Sequence, residues 1–169
     1  MADDNAYLGY WETYGGITSL LRSTYFWLAL VISILARELW ILETGKPPAW
    51  VALATTIVPS LLGFALGGMA IMLAFSSGKF LDAIRQKGKR DSYFMKIIAS
   101  FFHFAVVLAG ALLIALVEGG LSPVPYLRQG AEFIGFFLTV YGILLVLAIV
   151  SSVWHTARIF NAVRENDTP

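Results

Sequence analysis

The chain has no cysteine and only two histidines in its 169 residues. Without cysteine there can be no disulfide, thiolate nucleophile, Cys–zinc site or iron–sulfur cluster. Two histidines alone are a poor start for a transition-metal site, and no metal or other cofactor is expected. Charge is scarce as well. Charged residues make up 14% of the chain, against about a quarter in soluble domains. The net charge of +1 gives no basic field to hold a nucleic acid. The sequence has no HExxH, no phosphate-cradling glycine loop and no pair of carboxylates inside an apolar segment. Ser151, Ser152 and His155 lie about one turn apart, but no acid is in helical reach to complete a serine triad. No enzyme is expected. The start, MADDNAYLGYWETYGG, is acidic and aromatic, so no cleavable leader is expected either.

What the chain has is apolar surface. It is 58% hydrophobic with a mean hydropathy of +0.73, which points to a lipid bilayer as its solvent. Four segments suit a span: 23–42, 50–78, 97–117 and 133–157. The last three exceed the ~20 residues a helix needs to cross. The first is interrupted by Arg37 and Glu38 near one end. The expectation is an all-α polytopic membrane protein with four transmembrane helices and short loops. An N-terminal interfacial segment (1–22) would precede the transmembrane domain (23–157), and a cytoplasmic tail (158–169) would follow.

Orientation follows from the basic residues. With both termini cytoplasmic, Arg22, Lys79, Arg85, Lys87, Lys89, Arg90, Lys96, Arg158 and Arg164 lie inside, and Arg37, Lys46 and Arg128 outside. That distribution obeys the positive-inside rule. Trp40, Trp50 and Tyr126 then fall at the outer interface, and Tyr25, Trp27, Tyr93 and Trp154 near the inner one.

The second segment holds "IVPSLLGFALGGMAIMLAFSSGK" (Ile57–Lys79), apolar yet carrying one proline and four glycines. In steps of four and three it reads Thr56, Ser60, Gly63, Gly67, Ala70, Ala74, Ser77. Every residue of this ridge is small, and Gly63 and Gly67 form the small-xxx-small pattern that lets helices approach closely in lipid. The expected place for the ridge is a helix contact within one four-helix protomer. The alternatives are contact between copies, or a pore lined by Thr55, Thr56, Ser60, Ser76 and Ser77. Pro59 should kink the helix one turn earlier.

Ionisable residues inside a span are the default functional candidates. His103 lies six residues into the third segment. It either gates or tunes a pore by protonation, with an unperturbed pKa near ~6.5, or hydrogen-bonds a neighbouring helix. The loop 79–96 offers Lys79, Arg85, Lys87, Lys89, Arg90 and Lys96. It serves as a topology determinant, or as a contact for anionic lipid or a cytosolic protein. The aromatic stretch Ala6–Arg22 should lie along the inner interface or cap the cytosolic mouth of the bundle.

Two blocks, "YGGITSLLRSTYFWLAL" (Tyr14–Leu30) and "VPSLLGFALGGMAIMLAFSSGKF" (Val58–Phe80), resemble uncharacterised small bacterial four-span membrane proteins. The resemblance implies a bacterial inner-membrane setting and carries over no activity or catalytic residue. The functional expectation is a homo-oligomeric channel or membrane-permeabilising assembly. The alternative is a membrane anchor or subunit that recruits a cytosolic partner through the loop 79–96, as in a bacterial defence system.

Overall fold

A computed structural model describes residues 6–41, 47–74, 84–89, 92–118 and 125–165. All of its regular elements in these stretches are helical: α1 (Ala6–Tyr14), α2 (Gly16–Arg22), α3 (Thr24–Leu35), α4 (Ala49–Ala74), α5 (Tyr93–Val117) and α6 (Pro125–Glu165), with 3-10 turns at Arg37–Leu39 and Gln86–Gly88. Helices are what a bilayer demands, because each backbone polar group finds its partner within the segment.

Local signals set the boundaries. Gly15 sits at φ +99° and separates α1 from α2, a conformation that costs a residue without a Cβ little. α2 and α3 bend by 62° at Ser23. The Trp27 indole donates to the Leu21 carbonyl across this bend at 2.7 Å. α3 has only 12 residues, about 18 Å, and ends seven residues before the expected Leu42. Beyond it, the Trp40 indole donates back to the Ser33 carbonyl at 2.7 Å. Ser92 caps α5, its hydroxyl accepting from the Met95 amide. α6 opens at Pro125, eight residues before the expected start of the fourth span. Proline suits that first position, where its missing N–H breaks no helical bond.

Three helices, Ala49–Ala74, Tyr93–Val117 and Tyr126–Arg158, are long and apolar enough to cross a membrane. The bent pair α2–α3 would make a fourth if the two helices form one span. α5 and α6 form the centre. α4 packs chiefly on α5, α3 on α6, and α1 on α5. The interior is aromatic and well filled: Trp50, Phe101, Phe104, Phe136 and Tyr141 are all buried, with Leu108 and Ile149 among them.

Candidate functional site

α4 turns a different face inward from the one its small residues suggested. Trp50, Ala54, Val58 and Ala65 are its buried residues, and Leu61, Met69 and Met72 pack beside them. At ~100° per residue this face lies about 180° from the ridge. Thr56, Ser60, Gly63, Gly67, Ala70 and Ala74 are all exposed, and a Cβ added at Gly63 or Gly67 would meet nothing within 4 Å. Among the described residues, the ridge therefore makes no helix contact inside the protomer, contrary to the first expectation. Ser77 lies outside the described residues. The close approach within the protomer falls one residue along, at Gly68, where a Cβ would come within 2.5 Å of the Phe101 ring.

Thr55 and Thr56 spend their hydroxyls on their own helix. Thr55 donates to the Val51 carbonyl at 2.9 Å and Thr56 to that of Ala52 at 2.8 Å. α4 runs without a break through Pro59, which is exposed.

His103 is buried in a ring of aromatic groups. Its Nε2 lies 3.2 Å from the Tyr141 hydroxyl of α6 and its Nδ1 3.4 Å from the Tyr10 hydroxyl of α1. The Tyr14 ring stacks on the imidazole at a centroid distance of 4.1 Å, and Trp11 lies 6.5 Å away. Phe26 of α3 and Phe137 of α6 close around Tyr141. α1 thus docks its aromatic face on α5, and the N-terminal segment covers His103, the histidine well inside a candidate span. Burial pushes the Tyr10 and Tyr14 hydroxyls above the ordinary tyrosine range, so both are neutral donors at physiological pH.

A polar cluster that sequence reasoning missed lies where α5 ends and α6 begins. Glu132 is fully buried and Glu118 nearly so. Arg128 bonds Glu118 through Nη2 and lies 3.8 Å from Glu132 Oε1 through Nε. The Trp50 indole donates to Glu132 Oε2 at 2.8 Å. Gly135 makes this possible: a Cβ there would come within 2.3 Å of the Trp50 ring. The hairpin brings together two acids fourteen positions apart, Glu118 just beyond the apolar run of α5 and Glu132 within α6. The i,i+4 pair Arg128–Glu132 is the available signal, set in a stretch whose glycines and prolines read as a loop.

Among the described basic residues of the 79–96 loop, Arg85, Lys87, Lys89 and Lys96 are exposed; Lys79 and Arg90 lie outside the described residues. Ser152 donates to the Ala148 carbonyl at 3.1 Å, and Ser151 and His155 are exposed. Among the described residues, no group of three or more His, Asp or Glu could hold a metal ion. Comparisons with family models, curated proteins and solved structures found no match.

Proposed function

We propose that the protein is a homo-oligomeric membrane protein of four spans, with both termini on the cytoplasmic side of a bacterial inner membrane. Its copies meet along the outer face of α4 and form a channel or a membrane-permeabilising assembly. The observation that carries this reading is the exposure of the ridge from Thr56 to Ala74. Tiny side chains offer a lipid tail little to pack on, yet they let a second backbone come close. α4 is also the long helix least covered by its own bundle, with 11% of its most apolar window buried against 44% for α5. The ridge is one repeated pattern of small residues, so a second copy of the same helix can match it. A pore would lie between copies, because aromatic side chains fill the protomer's interior. His103, held between α1 and α6, would tune the assembly.

The absence of cysteine makes the test clean. Gly63→Cys and Gly67→Cys, introduced singly, should give disulfide-linked dimers on oxidation in membranes. Leu113→Cys, on an exposed position of α5, should not. The purified protein should also pass ions across liposomes. Monomers throughout would defeat the assembly, and a cross-linked protein without ion flux would defeat the channel.

A second reading draws on the exposed Arg85, Lys87, Lys89 and Lys96. A membrane anchor would present this loop to anionic lipid or to a cytosolic protein. Neutralising Lys87, Lys89 and Arg90 together would then release that partner without changing the oligomer.

A further inference from the structure

The cluster at the α5–α6 hairpin carries a charge imbalance. Two carboxylates, Glu118 and Glu132, share one guanidinium, Arg128. Both acids are more than nine-tenths buried. Arg128 commits Nη2 to Glu118. Its Nε, at 3.8 Å from Glu132, is too far for a hydrogen bond and has no other partner. Glu132 Oε2 takes the Trp50 indole hydrogen, while Glu132 Oε1 is buried with no donor. Both carboxyl groups lie against the same guanidinium. Two ionised carboxylates there leave one negative charge beyond what Arg128 balances.

Among the described residues, the surroundings supply no further cation. α4 contributes the neutral Trp50 indole. α3 and the turn after it bring Trp40 against Phe133, while Arg37 and Glu38 of that turn are exposed. A surplus buried negative charge is costly, and a site of this kind relieves it by taking up a cation. A metal ion would need more oxygen ligands than one free carboxylate oxygen and a second acid already bound to arginine.

We propose that Glu118 and Glu132 form a proton-binding site: the pair holds one proton, with Arg128 balancing the remaining charge. One proton brings the cluster to neutrality and leaves Glu132 Oε2 free to accept from Trp50. Proton uptake and release can thus occur at the end of the bundle where α5 and α6 turn. This inference does not depend on the proposed oligomer or channel.

Infrared difference spectroscopy of the full chain in lipid nanodiscs tests it. The wild type at neutral pH should show the carbonyl stretch of one protonated, buried carboxyl group, shifted in heavy water. Glu132→Gln should abolish the band, since the remaining acid and Arg128 are already neutral together. Glu118→Gln should abolish it for the same reason, so either variant suffices if the other does not fold. Both single variants should melt close to the wild type, and the double variant, which strands Arg128, should melt lower. A wild type without the band would overturn the proposal. So would a band that survives both substitutions, or a melting temperature that rises with sodium concentration while the band is absent.

Discussion

Gly67 and Gly68 are neighbours in sequence with opposite surroundings. Gly68 lies against Phe101, and Gly67 meets nothing in its own protomer. Gly68→Leu should therefore destabilise the protomer by about 1–3 kcal/mol, the usual cost of forcing atoms into a packed contact. Gly67→Leu should leave the melting temperature of a detergent-held monomer unchanged and abolish the oligomer. Thermal unfolding and oligomeric mass, measured on both variants, separate the two faces. Sequence could not make this choice. The set Ala54, Val58, Leu61, Ala65, Gly68 and Met72 keeps the same three-and-four spacing as the small ridge, and periodicity finds both faces without saying which one is covered. The smallest residues suggested the inner face, but this interior is built from large side chains instead, with Gly142 against Leu108 and Gly68 where the Phe101 ring presses on the helix. Trp50 over Gly135 is the second such place, and it illustrates why Glu132 escaped notice: its indole partner lies 82 positions away.

Among the elements, α1 is short yet makes specific aromatic contacts. Its nine residues place three aromatic rings around His103. The docked state keeps Tyr10 and Tyr14 neutral above the ordinary tyrosine range, chiefly through burial. An undocked α1 would ionise both near pH ~10. Neutral tyrosine is the form favoured by docking, so docking is fully stabilised below pH ~10 and weakens as pH rises beyond it. Ultraviolet titration should show late-ionising tyrosines, and Tyr10→Phe with Tyr14→Phe should remove the steps assigned to these two. Ionisation of both at the ordinary value would show that α1 is not docked. The aromatic period of this stretch was visible in the sequence, as was its break at Gly15–Gly16; its target, His103, was not, because nothing local ties residue 10 to residue 103. The start of α6 was misjudged for a local reason. "EGGLSPVPYLRQGAE" looks like a loop by composition, yet Pro125 begins a helix and the Arg128–Glu132 pair belongs to its first turns.

For the whole molecule, three long apolar helices were legible from hydrophobic runs alone, because in lipid the length of such a run dictates the element. The first segment was not, since its bend at Ser23 and its early end at Leu35 depend on side chains reaching back to carbonyls rather than on hydropathy. Topology turns on that segment. A bent α2–α3 that crosses puts both termini on one side, whereas a pair that enters and leaves by the same face puts them on opposite sides. Protease protection of tags at each end, in oriented vesicles, should find both on the cytoplasmic side. Tags on opposite sides would leave three crossings. α6, meanwhile, has 41 residues and extends about 60 Å, roughly twice the ~30 Å hydrocarbon layer. Gripped at its middle by that layer, such a rod acts as a lever. A change of tilt of about 20° would swing each tip by roughly 10 Å, in opposite directions. A push on the tip at the hairpin would thus be felt as a displacement across the membrane, with no change in the helix itself.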